Sequence, residues 1–260
     1  MGFSFFGGGF MIDMHHHGLS GVDDGCADSA ESLVLLKSEA SQGVSDVICT
    51  PHFILDGKYH LDGESVLKQV SELQEACNHA GIELVLHAGH ELFIHRFLPG
   101  CLKEKQCLTL AGSRYVLVEF PFDEYQDEYD YILEDLRAMG YIVIVAHPER
   151  YAYVRKDLNF CLRWLDCGDL LQCNQNSILN KDLKKMMHKM LKHGFVSFIA
   201  SDAHGSKRPC RLSEAYEEVV KLCGKQKADE LFVLNQVKIL KNEIIENDDV
   251  LPIKKFFGIF

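Results

Sequence analysis

Among its ten cysteines the 260-residue chain has no C-x-x-C pair, which argues against a structural zinc knuckle. It has no apolar run near the roughly 18 residues that a membrane-spanning helix needs. The opening text "MGFSFFGGGF" lacks a basic start and an adequate apolar stretch, so it does not read as a secretory signal. Phe6 stands where a myristoylation signal wants Ser or Thr. The default compartment is the cytoplasm. Positive charge is also scarce: 27 basic residues face 38 acidic ones, a formal net charge of -11. That excludes the electrostatic footprint of a nucleic-acid or anionic-lipid binder, so contact with a membrane is peripheral at most. An acidic protein that handles an anion must supply local positive charge, from arginines or from metal ions. No internal repeat and no long linker divide the chain.

What is present is ordinary globular material, 47% hydrophobic and 25% charged, enough for one substantial core. The cysteines sit in apolar or helical text, such as Cys49 in "DVICT" and Cys173 in "LLQCN", as buried reduced thiols do. Short continuous apolar runs recur at 11–14, 46–49, 83–86, 115–120, 142–146, 170–173 and 196–200. They do not alternate, as expected of parallel strands buried on both faces. Helix-period segments lie between them. Ser29 is a candidate cap for a helix reaching about Gln42, and further helices span 62–80, 125–139, 156–167 and 180–193. Gly43, Gly81, Gly140, Gly168 and Gly194 are their expected stops. Repeated βα units predict one α/β domain, either a barrel or a doubly wound sheet. The aromatic-rich ends, "FSFFGGGF" and "KKFFGIF", read as frayed tails or as docking segments.

The residues that follow the apolar runs carry the chemistry. His15 and His17 end the first run within "MIDMHHHGLSGVDDG", and "TPH" brings His52. "HAGHE" brings Glu91, Glu119 lies inside its own run, and "HPER" brings His147 and Arg150. "SDAH" brings Asp202 and His204. In an α/β barrel the strand C-termini converge on one face, where active sites form. Imidazole plus carboxylate without thiolate suits Mn²⁺, Fe or Zn²⁺. Alternate residues of a strand share a face, so His15 and His17 are expected on one metal, with His16 turned away. His60, His79, His95, His188 and His193 lack this placement and read as structural or surface residues. His87 and His90 lie near the set without being expected in it.

These residues resemble those of the polymerase-and-histidinol-phosphatase (PHP) domain proteins. The continuation "VDDG" makes the chain similar to the capsule-associated bacterial protein-tyrosine phosphatases of the CpsB/YwqE type. "GHE", "LVEF", "AHPERY", "QCNQNS" and "ASDAH" match in order, and the likeness covers residues 11–235. The resemblance implies a single-domain distorted TIM-like (β/α)7 barrel over 11–250, with an extension at 1–10 and a tail at 251–260. It implies three metal ions, usually Mn²⁺, with Fe, Zn²⁺ or Mg²⁺ as alternatives. One would take His15, His17, Glu91 and Asp202; a second Glu91, Glu119 and His147; the third Asp23, His52 and His204. Arg150 and Arg208 would hold phosphate, with Lys207 or Arg211 as substitutes for the latter. A metal-activated hydroxide would attack phosphorus, and His52 or Asp23 would assist the leaving group. Two positions depart from the pattern: imidazoles stand at His16 and His90, where smaller residues are usual.

The implied substrate is phosphotyrosine in the tail of a bacterial tyrosine autokinase that controls polysaccharide export; a homo-oligomer is compatible with this. A thiolate mechanism is excluded, because no cysteine has arginine six positions later. Histidinol-phosphate hydrolysis is the competing enzymatic reading, and a catalytically silent phosphotyrosine-binding module the non-enzymatic one. An exonuclease is disfavoured by the acidic charge and by the lack of an attached polymerase domain.

Overall fold

The structure is a computed structural model and describes residues 10–246 and 250–254. The extension and tail therefore fall mostly outside the described residues. Among the described residues nine parallel strands carry the frame: β1 (Met11–His16), β2 (Val44–Cys49), β3 (His52–Phe53), β4 (Val85–Ala88), β5 (Glu91–Phe93), β6 (Tyr115–Glu119), β7 (Ile142–Ala146), β8 (Leu170–Asn174) and β9 (Phe198–Ala200). They form two sheets, β1-β2-β4 and β3-β5-β6-β7-β8-β9. The sheets meet again beyond β9, where the His17 N–H donates to the Ala203 carbonyl at 3.0 Å. The Asp202 N–H donates to the His15 carbonyl at 2.9 Å.

Burial explains why the runs do not alternate. Every residue of β1, β6 and β8 is buried. One face of the strands contributes Met14, Ile48, Leu117, Ile144, Leu170 and Phe198 to an inner cluster. The opposite face gives Val47, Val116, Val145, Leu171 and Ile199 to a larger core shared with the helices. A strand apolar on both sides is the signature of a parallel sheet covered on both faces.

The five expected glycine stops all hold φ between 67 and 88°. At Gly140 that backbone turns the helix Glu128–Ala138 straight into β7. Other boundaries differ from the sequence reading. Asp28, not Ser29, caps the first helix (Ser29–Ser41), accepting the Glu31 N–H at 2.9 Å. The helix expected over 156–167 is broken at Asp157, whose backbone is extended at φ -149° and whose side chain caps Asn159. Two short helical segments, Leu158–Cys161 and Leu162–Leu165, take its place, and a separate short helix, Ala152–Lys156, precedes them. The helix expected over 180–193 is confined to Lys184–Lys192, and a separate short helix, Gln175–Leu179, precedes it. Near the C-terminus, Asn159 pairs with the Ile253 backbone in both directions, at 2.8 and 2.9 Å, so residues assigned to a tail are bound to the body.

Candidate metal centre

Strand C-termini bring the site together. His15 Nε2 and His17 Nε2 lie 3.1 Å apart. Both lie 3.3 Å from the Glu91 carboxylate, and 3.7 and 3.6 Å from Asp202 Oδ1. His147 Nε2 is 2.8 Å from Glu91 and 3.6 Å from Glu119. His52 Nδ1 is 2.8 Å from Glu91 and 3.8 Å from Glu119. Glu91 therefore meets four imidazoles and lies at the centre. His16 points the other way, to Glu39.

Asp24 is the residue that the sequence reading missed. Its Oδ1 lies 3.4 Å from His52 Nε2 and 3.3 Å from His204 Nε2. Asp24, with His17, His52 and His204, forms one group of close donors; Asp23 is in none among the described residues. Asp23 instead faces His17 Nδ1 at 2.7 Å and accepts the N–H groups of Gly25 and His52. In a D-D pair, one carboxylate turns in to hold the backbone and the other turns out to the cavity. The text "VDDG" gives no rule for which does which.

The supporting shell is dense. Gln172 Oε1 lies 2.8 Å from His15 Nδ1, and Asn174 Nδ2 donates to Asp202 at 2.6 Å. Glu31 accepts from both the backbone and the hydroxyl of Ser206, anchoring the loop between His204 and Arg208. His147 and Asp202 hold left-handed backbones, φ 33° and 50°, which side chains other than glycine rarely adopt. Backbone strain of this kind persists where surrounding contacts fix a functional geometry.

Charge is concentrated and buried. Burial disfavours His15 as a cation, but Glu91 and Asp202 outweigh it and raise its pKa to about 9. The same contest, won by Glu91, Asp24 and Glu119, pushes His52 up to about 12. Burial would raise Asp202, yet His15 and Arg208 lower it to about 2. Glu119 is raised, by burial and by neighbouring Glu91.

These donors suit divalent cations. Five imidazoles and four carboxylates fall into overlapping groups of close ligand atoms. His52 Nδ1, Glu91 Oε2 and His204 Nε2 are buried without a hydrogen bond. His52 Nδ1 and Glu91 Oε2 are close, but they lack hydrogen-bond geometry with each other. Atoms that converge without bonding one another match ligands around a shared ion.

Arg150 and Arg208 stand at the mouth, donating to Asp202 Oδ2 at 3.4 and 2.8 Å. Arg150 also lies over the Phe122 ring, 4.6 Å from its centre. Arg211 pairs with Glu214 instead. Ile54, Tyr59, Phe93 and Phe122 line the opening. His90 accepts the Leu108 N–H and meets the Leu61 carbonyl, outside the centre. His87 pairs with Asp46, His95 with Asp56, and His60, His79 and His193 with backbone carbonyls, so none joins the cluster.

A buried histidine–carboxylate centre at the ends of parallel strands, with arginines at its mouth, defines a metallohydrolase-like α/β protein. A family model for capsular polysaccharide synthesis, CpsB/CapC, matches residues 11–241, and the chain belongs to that family. It is 31% identical over 256 residues to the tyrosine-protein phosphatase YwqE of Bacillus subtilis, covering 96% of this chain and 100% of the relative. It is 33% identical over 258 residues to the putative tyrosine-protein phosphatase CapC of Staphylococcus aureus, with the same coverage, 96% and 100%. A chain from the crystal structures of B. subtilis YwqE and Streptococcus pneumoniae CpsB, described as metal-dependent tyrosine phosphatases, superposes with a TM-score of 0.89 at 30% identity. That match covers 94% of this chain and 100% of the other. Lactococcus lactis histidinol phosphate phosphatase, at TM-score 0.52, 14% identity and coverage of 84% and 93%, shares the fold alone.

Proposed function

We propose that this protein is a metal-dependent protein-tyrosine phosphatase. One observation carries the reading: both arginines reach Asp202 at the edge of the donor cluster, inside an opening walled by aromatic rings. One cation falls to His15, His17, Glu91 and Asp202, a second to Glu91, Glu119 and His147, and a third to Asp24, His52 and His204. The nitrogen and oxygen donors suit Mn²⁺, Fe or Zn²⁺; we assign Mn²⁺ on the family resemblance, with Fe, Zn²⁺ and Mg²⁺ as competitors. Bound cations supply Lewis-acid neutralisation of the phosphate dianion and acidify water near neutral pH.

The chain's own residues do the rest. Arg150 and Arg208 bind phosphate oxygens through planar guanidinium groups. Phe122 supports the Arg150 plane, and Tyr59, Phe93 and Ile54 flank the aryl ring of the substrate. Asp23 orients His17, which leaves it no role as a proton donor. His52 serves as a ligand, and a phenolate leaves readily without a strong general acid. The aromatic walls favour phosphotyrosine over histidinol phosphate.

The frame we read as one distorted (β/α)7 barrel. Thr50 and Pro51 join β2 to β3, and Gly89 and His90 join β4 to β5, so nine strands make seven passes. The backbone bonds between 15–17 and 202–203 support closure. The substrate we assign is the phosphotyrosine tail of a tyrosine autokinase in capsule synthesis, met in the cytoplasm. No helix among the described residues is long and apolar enough to cross a membrane.

The test is phosphate release from a phosphotyrosine peptide and from histidinol phosphate, on metal-stripped protein with Mn²⁺ restored. Mn²⁺-dependent turnover of the peptide, lost in His147→Ala and Arg150→Ala, is expected. Turnover of histidinol phosphate alone would move the protein to the competing enzyme. Metal binding without turnover of either would leave a binding module.

A further inference from the structure

A second cluster of metal-ligand side chains lies outside this centre, on the far side of β1. Asp13 and His16 come from β1, Glu39 from the first helix, and Cys210 from the segment before the helix Leu212–Cys223. Asp13, His16 and Glu39 are 0% exposed and Cys210 is 4% exposed. Ligand atoms of Asp13, Glu39 and Cys210 all lie within 4.8 Å of one another.

The polar atoms here are unusually poor in partners. Asp13 Oδ1 accepts the Ser201 N–H at 2.9 Å, but Asp13 Oδ2 has no hydrogen bond. Among the described residues neither Glu39 oxygen has one, nor either ring nitrogen of His16. His16 Nε2 and Glu39 Oε1 lie 3.0 Å apart without hydrogen-bond geometry. The His16 ring is held tightly: a Cβ at Gly18 would fall 2.1 Å from its Cε1. Enclosed carboxylate oxygens left without partners carry a large desolvation cost.

Charge does not balance either. Two carboxylates and a thiol face a single imidazole. Asp13 has no ion pair among the described residues, and the one that Glu39 makes is to His16. A divalent cation would satisfy the free Asp13 oxygen, both Glu39 oxygens and the thiolate together. Ligands of one small cation also sit about 3 Å apart while aiming past each other, as His16 and Glu39 do.

We propose that Asp13, Glu39 and Cys210, flanked by His16, form a separate enclosed site for one divalent cation of the zinc class. Oxygen and sulfur donors with an imidazole beside them select zinc over magnesium or calcium. Because all its ligands are buried, the ion is captured as the chain folds and ties β1, the first helix and the segment at Cys210 together. The phosphatase centre contains no cysteine, so this inference does not rest on that assignment.

The experiment uses the full chain produced in cobalt-supplemented medium. Thiolate coordination to Co²⁺ gives a near-ultraviolet charge-transfer band, which the phosphatase centre cannot produce. The band is expected in the native chain and absent in Cys210→Ser, with phosphotyrosine hydrolysis retained. If that variant does not fold, Glu39→Gln serves, losing the band on dialysis against a chelator that leaves the native chain's band intact. No band in cobalt-grown protein would overturn the site, and so would a band that survives Cys210→Ser. A band present in protein that hydrolyses nothing would support this site while removing the phosphatase reading.

Discussion

Asp23 Oδ2 lies 2.7 Å from His17 Nδ1. This contact places the imidazole proton on Nδ1 and leaves Nε2 free to meet a metal. The adjacent carboxylate, Asp24, faces His52 and His204 directly. The two neighbours are thereby assigned different work, and substitution separates them. Asp24→Ala is expected to lose a bound ion and to lose activity that excess Mn²⁺ does not restore. Asp23→Asn keeps all ligands but loosens His17, so its Mn²⁺ affinity is expected to fall about 10–100-fold. Its activity returns at high Mn²⁺. Elemental analysis and Mn²⁺ titration of activity read both effects, and an exchange of the two phenotypes would reverse the assignment.

Much of this site was legible in the sequence because strand chemistry is periodic. An H-x-H at a strand end puts His15 and His17 on one side and His16 on the other, and the geometry follows that rule. His52, Glu91, His147, Asp202 and His204 follow apolar runs and Glu119 lies near the end of its own, so a parallel frame alone brings them together. Asp24 was not legible, because it lies in a loop whose path depends on Gly25. A Cβ there would fall 2.1 Å from the His17 carbonyl oxygen. The role of Glu31 was equally hidden, since the sequence does not show that it meets Ser206, 175 residues away. The helix break at Asp157 escaped notice because a side-chain cap there competes with an otherwise helical pattern.

Proton competition sets the pH dependence of metal binding. His15, raised to about 9, and His52, raised to about 12, are protonated at pH 7 when no metal is present. An imidazole must lose that proton before it can ligate. Metal loading at pH 7 is therefore expected to release protons, and Mn²⁺ affinity to rise between pH 6 and about 9. Calorimetric titrations in buffers of different ionisation heat measure the release. Heats that are the same in every buffer would contradict it.

Phe122 packs against both a candidate metal ligand and a candidate phosphate-binding arginine. Its ring stacks on His147 at 5.9 Å between centroids and supports Arg150 at 4.6 Å. A cation over an aromatic face is worth roughly 0.5–2 kcal/mol. Phe122→Ala is expected to lower kcat/KM for a phosphotyrosine peptide by about 2–30-fold, mainly through KM. Phe122→Tyr keeps the ring and is expected to keep most of the activity. Steady-state kinetics on both variants check this, and an unchanged KM in Phe122→Ala would remove the ring from the binding site.

Tyr151 clamps two of the ligand-bearing strands. Its hydroxyl donates to the Ala146 carbonyl at 2.8 Å and accepts the Phe120 N–H at 3.0 Å. Ala146 precedes His147, and Phe120 follows Glu119, so one buried hydroxyl fixes the spacing of two ligands. Tyr151→Phe preserves the packing against Phe120, Phe122 and Tyr153. It leaves a buried N–H and a buried carbonyl unpaired, at a cost of about 1–3 kcal/mol. For a domain of this size, that lowers Tm by roughly 2–10 °C. Because the freed groups lie next to Glu119 and His147, Mn²⁺ affinity is expected to fall with stability. Thermal unfolding of the metal-free protein reads the first effect, and Mn²⁺ titration of the folded variant at low temperature reads the second. A lower Tm with unchanged Mn²⁺ affinity would make Tyr151 a core residue alone, and loss of both would establish that the strand spacing sets the metal centre.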